Sequence, residues 1–391
     1  MSNLVDLKEV VFFQEGPGVR KWQFRNEGIK LLNVKNIVNG ELDLSNTERY
    51  LDPKEVSSSY NHFLLEPNDI VMASSGVTWG KTAIVKKEYL PLCLNTSTIR
   101  FKSLDENILN RDYLLHFLNS RQFRDQIERL ITGSAQPNFG PSHLTQVKLY
   151  LPPLPQQKRI AAILDKADAV RRKRQETFRL LDEFLRSVFL EMFGDPVRNE
   201  KGWEMKKLAD LGDWASGGTP SRSNNSYFEG TIDWYTAGEL NNRYLDGSKE
   251  KITEKAINES SAKLFKAGSL LIGMYDTAAF KMGILKKDST CNQACANINP
   301  HISECNIDWL YSVLIAMRLF FLTQRRGIRQ KNLNLGMIMD FEIPVPPLKY
   351  QTKFAEIVTQ QEKQKHFLIE SLTEMENGFN SLMQKAFRGE L

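Results

Sequence analysis

Three groups of residues in this 391-residue chain have types and spacings that could do chemistry. The first is the run Ser75, Gly76, Val77, Thr78, Trp79, Gly80, Lys81 and Thr82. It nearly matches a phosphate-cradling loop, but that pattern needs its first glycine at position 75, and here it is Gly76. Ala83, Ile84 and Val85 then read as strand, so the helix N-terminus that would hold a phosphate is missing. What remains is a plain tight turn, or a turn that also sets Lys81 and Thr82 against DNA. The second group is Cys291, Cys295 and Cys305 with His301 between them. The spacing fits no common zinc pattern, and buried or incidental thiols are the better reading. The third group is Arg325, Arg326 and Arg329 beside Gln330 and Asn332. Arginine can pair with guanine, and glutamine or asparagine with adenine, in a major groove.

Other residues are weaker candidates. Lys281 lies near a second inter-strand turn and could reach a phosphate. Thr219, Ser221 and Arg222 form a polar loop suited to backbone or base contact, or simply a flexible surface loop. The basic run Arg171, Arg172, Lys173 and Arg174 sits among Asp165, Asp168 and Glu176. That favours a solvated face or a partner contact over direct DNA contact. Trp22, Trp79, Trp234 and Trp309 read as core or loop anchors rather than stacking platforms, since duplex DNA keeps its bases stacked. No Asn/Asp-Pro-Pro-aromatic motif and no glycine-rich cofactor loop after a strand is present. The expectation is a chain without a catalytic residue, a cofactor or a metal.

The elements that position these residues are duplicated. Leu151, Pro152, Pro153 and Leu154, with Gln157, Ile160, Ala161 and Ile163, return as Val345, Pro346, Pro347 and Leu348, with Gln351, Phe354, Ala355 and Ile357. The offset is 194, half the chain. Gly133, Gln136, Asn138, Leu144 and Val147 fall on Gly327, Gln330, Asn332, Ile338 and Phe341 at the same offset. Upstream the offset drifts to 203 at Leu42 and 200 at Glu66, which marks loop insertions. Two similar surfaces at a fixed separation point to measuring or bridging rather than to one catalytic pocket.

Each half reads as mixed α/β. Residues 69–72 and 82–85 are strand-like, as are 269–272 and 282–285. Residues 113–119, 122–130 and 308–322 carry helical periodicity, and 216–226 should be a loop. After each proline pair comes an a/d heptad seam. Its positions are Ile160, Leu164, Ala167, Arg171, Arg174, Phe178, Leu181, Leu185, Val188 and Met192. The copy is Phe354, Val358, Gln361, Lys365, Leu368, Leu372, Met375, Phe379, Leu382 and Ala386. Both seams turn polar near the middle, so antiparallel pairing should bring interruption near interruption and fix register. About 38 residues give a rod of roughly 57 Å. Gly194, Asp195 and Pro196 should end the first helix; no such stop is expected for the second. Phe178, Phe184, Phe189 and Phe193 lie on or beside the seam, and any that face outward would be docking points. The boundaries expected are 1–150 and 196–345 for the globular domains, and 151–195 and 346–391 for the helices.

Composition agrees with a non-membrane protein. Net charge is +5 and 41% of residues are hydrophobic. That mild basicity permits nucleic-acid contact without proving it. Four cysteines are too few for a disulfide framework. The opening residues show no signal pattern, and no stretch approaches the ~18 apolar residues of a membrane span. A reducing cytoplasm is expected.

Together these residues resemble the specificity subunit of Type I restriction–modification systems, over essentially the whole chain. The twice-repeated Pro-Pro-Leu-x-x-Gln before a long helix carries the likeness. So do residues 28–37 in the first half, and Gly218, Thr219, Pro220, Ser221 and Arg222 with Tyr227, Ile232, Asp233 and Trp234 in the second. The second half departs from the pattern: Tyr275, Asp276, Thr277, Ala278, Ala279, Phe280 and Lys281 lack the Gly-Lys-Thr. The resemblance implies two target-recognition domains, each reading one half of a split double-stranded DNA site. It implies paired antiparallel helices as spacer, two methyltransferase subunits docked around them, and restriction subunits joining that core. It adds Ser75, Thr78, Ser134, Gln136, Asn138, Tyr275 and Thr277 to Lys81, Thr82, Thr219, Ser221, Arg222, Lys281, Arg326, Arg329, Gln330 and Asn332 as DNA-contact candidates. The competing reading keeps the architecture without DNA, as a coiled-coil adaptor for partner proteins. Different loops in two similar domains favour reading over adapting.

Overall fold

The computed structural model describes residues 3–45, 47–131, 138–324 and 332–391. The candidates Ser134, Gln136, Arg326, Arg329 and Gln330 lie outside these residues. The chain forms two compact units, Met1–Gln175 with Glu370–Leu391, and Glu176–Ile369. The division falls within both long helices, because each globular part keeps the helical segments packed beside it.

The first unit is built on a four-stranded antiparallel sheet in the order Val11–Glu15, Thr98–Ser103, Ile70–Ala73, Thr82–Ile84. A second sheet places Ile29–Leu31 between Tyr50–Leu51 and Leu92–Cys93, the latter parallel to it. Leu4–Asp6 pairs with Lys148–Tyr150, which brings the chain back to the proline corner. Helices Arg111–Leu118 and Arg121–Leu130 cover the larger sheet, and Leu114, Phe117, Phe123 and Ile127 join Met72, Ile99 and Phe101 in one core.

The second unit repeats the plan. Its sheet runs Gly212–Ser216, Cys295–Pro300, Leu270–Gly273, Met282–Leu285, and gains a parallel edge strand, Tyr244–Leu245. Ile232–Tyr235 sits between Glu250–Ile252 and, in parallel, Thr290–Cys291. Glu204–Lys207 pairs with Glu342–Val345. One helix, Ile307–Thr323, covers the sheet where the first unit uses two. The expected mixed α/β class and its internal repeat are therefore both present.

The repeated glutamine of the proline corner has a structural task. Gln157 is fully buried. Its Oε1 accepts from the Asn110 amide at 2.9 Å, and its Nε2 donates to the carbonyls of Ile108 and Pro152 at 2.9 and 2.8 Å. Gln351 does the same with Asn306, Glu304 and Pro346 at 2.8, 3.3 and 2.8 Å. Each amide thus ties the start of a long helix to the N-cap of the helix over the sheet. Leucine fills similar space but leaves buried polar groups unpartnered, at about 1–3 kcal/mol each. Gln157→Leu is therefore expected to destabilise the first unit by roughly 3 kcal/mol, read by urea unfolding. A loss below about 1 kcal/mol would show that the clamp is dispensable.

The long helices are Leu154–Phe193 and Leu348–Arg388. Every seam position named above is buried or half-buried. In the first unit Ile160 and Leu164 share a core with Met383, Ala386 and Phe387. In the second, Leu185 and Phe189 share one with Phe354 and Val358. Within each unit the segments run antiparallel.

Polar seam residues find partners within their own units. Arg171 takes Asp168 one turn back at 2.6 Å and lies 5.7 Å from the ring centre of Phe379. Gln361 donates to the Leu181 carbonyl, and Lys365 pairs with Asp182. The expectation to correct is that the second helix lacks a stop: Gly389 adopts φ +77° after Arg388, as Gly194 does at φ +76° after Phe193. No helix among the described residues is long and apolar enough to cross a membrane.

Candidate nucleic-acid interface

The turn between the two central strands is the best-defined candidate in each unit. In the first, the Ala73 amide donates to the Lys81 carbonyl at 2.9 Å, and the Gly80 amide to the Ala73 carbonyl at 2.8 Å. In the second, Gly273 and Lys281 make the same bond at 2.8 Å, and Phe280 and Gly273 the other at 2.8 Å. A third tie anchors each turn from the far side. Phe139 N–H reaches Ser74 O at 3.1 Å, and Leu333 N–H reaches Met274 O at 2.9 Å. The frame is therefore the same, and Lys81 and Lys281 occupy equivalent places although the second turn lacks Gly-Lys-Thr.

The plugs beneath the turns differ. In the first unit Trp79 is buried edge-on against Phe139 at 5.8 Å, with the Arg124 guanidinium 4.6 Å from its ring centre. In the second, Phe280 is buried and stacked on Phe321 at 5.1 Å. Gly80 sits at φ +82° without cost; Phe280 holds the left-handed φ of +56°, a strained conformation for a bulky residue. Packing of its ring holds it there.

The candidates on these turns are placed unequally. Lys81 is exposed, and no side-chain partner for it occurs among the described residues. Lys281 is half-buried and donates to Asn241 Oδ1 at 2.9 Å. Ser75 and Thr78 are half-buried; Tyr275 and Thr277 are exposed. Thr82 is buried and gives its hydroxyl to Asn119 Oδ1 at 3.0 Å, so it faces the protein. Asn138 is exposed and bridged to Ser75, and Asn332 is half-buried.

A second loop lies beside each turn. Gly217 N–H donates to Cys295 O at 3.0 Å, and a Cβ there would come within 2.3 Å of Cys291 O. Beyond it Thr219 bonds Gln293, and Ser221 bonds Ser223 at 2.7 Å. Arg222 is engaged bidentately by Glu250 at 2.6 and 2.8 Å, with Phe228 4.3 Å from its guanidinium carbon. That guanidinium holds the Glu250 carboxyl below the usual carboxylate range.

The first unit has a counterpart that sequence reading missed. Gly16 N–H donates to Thr98 O at 3.2 Å, and a Cβ on Gly16 would strike the Asn95 backbone at 2.4 Å. The loop at 16–20 therefore stands where 217–221 stands in the second unit. The available signal was the Gly16–Gly217 match at an offset of 201, close to the offsets of its neighbours.

The remaining groups are engaged within the protein or buried. Arg172 joins Arg171 on Asp168, also at 2.6 Å. Burial pushes the Asp168 carboxyl up, but the two guanidiniums outweigh it and hold the group low. Cys291, Cys295 and Cys305 are buried free thiols, and burial pushes Cys305 up to about 12. Among the described residues no group of three or more His, Cys, Asp or Glu is placed to hold a metal.

Comparison with known proteins places this geometry. The family model described as Type I restriction modification DNA specificity domain matches residues 2–177 and again 200–374. The specificity subunit of EcoR124I/EcoR124II from Escherichia coli is 28% identical over 211 residues, 52% of this chain and 50% of that one. The MjaIX specificity subunit of Methanocaldococcus jannaschii is 30% identical over 164 residues, 41% of this chain and 38% of that one. The StySPI specificity subunit of Salmonella potsdam is 24% identical over 396 residues, 94% and 83%. The match to the first two thus spans half or less of their length. A chain from a solved Type I restriction–modification assembly shares the fold, with a TM-score of 0.60 at 18% identity over 99% of this chain and 98% of that one. The S subunit from M. genitalium gives a TM-score of 0.56 at 14% identity over 98% and 95%.

Proposed function

The chain belongs to the Type I restriction–modification DNA specificity family, and on that premise we propose that it is the DNA-recognition subunit of such a system. Each unit reads one half of a split, asymmetric double-stranded site. The observation that carries this reading is a fixed frame with changed side chains. The two central turns share three backbone ties. Yet Ser75, Val77, Thr78 and Trp79 stand where Tyr275, Thr277, Ala278 and Ala279 stand. Reading two different half-sites requires that combination; an adaptor has less reason to diverge there.

The long helices set the gap between half-sites and dock two methyltransferase subunits, with restriction subunits joining in the full complex. Leu180, Phe184, Phe367 and Ile369 expose apolar surface on the helical segments of the second unit and suit that docking. The chain supplies recognition rather than catalysis and works in the cytoplasm.

Duplex binding measured with the methyltransferase partners present tests the reading. Affinity should fall steeply with salt, since each neutralised phosphate releases counterions. Lys81→Ala should weaken binding about equally across sequences and lower the salt slope by about 1. Binding indifferent to salt and to sequence would reject the reading in favour of the adaptor.

A further inference from the structure

Trp22 departs from the sequence expectation. Its side chain is 74% exposed, while the other five tryptophans are buried or half-buried. A single exposed apolar residue is ordinary and carries nothing alone. What sets Trp22 apart is the support under it. It rides on the short turn Lys21–Gln23. Gln23 is buried, accepts from the Arg20 amide at 2.8 Å, and donates to Tyr60 Oη at 2.8 Å and to the Glu55 carboxylate. On the far side Arg25 donates to the carbonyls of Trp22 and Phe24 at 3.0 and 3.1 Å. The Arg25 amide donates to Tyr50 O at 2.9 Å. The indole is thus presented outward on a fixed base.

Its surroundings suit a polyanion. Arg20, Lys21 and Arg25 are exposed and make no ion pair among the described residues. The nearby acids are Glu55, held in place by the Gln23 amide, and Glu15 and Glu27 along the chain, against the three cations. The turn continues the loop at 16–20, whose Gly16 packs on Asn95. The adjoining Ser97 accepts from Ser74, at the root of the turn that carries Lys81, at 2.9 Å.

We propose that Trp22 is a wedge, inserted by its turn at one base step of the half-site read by the first unit, with Arg20 and Lys21 on the flanking phosphates. Apolar side chains pushed into a step unstack it and kink the duplex, and adjacent cations offset the approach to the backbone. The short turn in the same stretch of the second unit, Asn225–Phe228, carries no tryptophan, and its Tyr227 is half-buried and donates to Glu259 at 2.8 Å, so only one half-site is deformed. This rests on the DNA-reading function proposed above.

The test uses the full complex with its methyltransferase partners and duplexes carrying its genomic methylation motif, with 2-aminopurine placed in turn through both half-sites. The expected result is a fluorescence rise at one step of one half-site, lost in Trp22→Ala and largely kept in Trp22→Phe. Affinity of Trp22→Ala for the motif should drop roughly tenfold to a hundredfold, the range seen when a base-stacking aromatic is truncated. Unchanged affinity in Trp22→Ala, or a wild-type complex that unstacks no step, overturns the wedge while leaving sequence reading intact. A wild-type complex that does not prefer the motif over scrambled duplex removes both.

Discussion

Replacing Arg100 with methionine is expected to cost the first unit about 3–5 kcal/mol, because it strands a buried carboxylate. Asp69 is 1% exposed and pairs with Arg100 at 3.4 Å. Arg100 also donates to Leu64 O at 2.9 Å and Gln14 Oε1 at 2.6 Å. The repeat supplies the control. Arg100 faces Val71 across the sheet as Asn297 faces Leu271, so the second unit solves the same position with a neutral pair. There Asn297 Nδ2 donates to Ser269 Oγ at 2.8 Å. The double variant Asp69→Ser, Arg100→Asn should therefore recover most of the loss. It will not recover all of it, since the Leu64 carbonyl loses its donor.

The deficit should depend on pH with a definite sign. Burial pushes the Asp69 carboxyl above its usual range, against the pull of the Glu66 amide and Arg100. A carboxyl raised in the folded state favours folding when protonated and opposes it as pH rises through the folded pKa. Without Arg100 that opposition grows, so the Arg100→Met deficit should be largest near neutral pH and shrink on acidification. Hydrogen exchange in strand Thr98–Ser103 reads it directly, because local opening is measured there without assuming that both units unfold together. A double variant no more stable than Arg100→Met would show that the stranded charge is not the cause.

Inserting seven residues into each long helix should widen the gap between half-sites and leave both half-sites unchanged. A heptad returns the seam to within about 20° of its starting face. The buried positions from Ile160 to Met192, and from Phe354 to Ala386, would therefore still face inward. The added length is on the order of 10 Å, or about three base pairs. Five residues would instead rotate the seam by roughly 140° and should abolish specific methylation. A heptad insertion that leaves the gap as it was would reject the helices as the ruler.

The repeat was legible because its chemistry is local. Proline pairs stop strands wherever they occur, and an a/d seam announces itself over forty residues. The strands around Val71 and Leu271 could be read from short apolar runs between turn residues. What stayed hidden depends on partners far along the chain. Nothing near Gln157 points to Asn110 or Ile108, and nothing near Asp69 points to Arg100. Trp22 read as an anchor because an indole usually hides; its exposure follows from Gln23 reaching Tyr60. The antiparallel seam itself was readable, but the partners of its polar residues were not, since Asp168 and Asp182 lie off the a/d stripe. Gly389 was passed over because a stop so near the last residue adds little to a sequence pattern.

The central claim is that this chain chooses the DNA sequence its complex modifies. The measurement that tests it most directly is a methylation map of genomic DNA from cells carrying the intact operon, set against cells lacking only this gene. The account predicts the loss of one split, asymmetric methylated motif and of no other. The same motif surviving at full occupancy without the gene would contradict it.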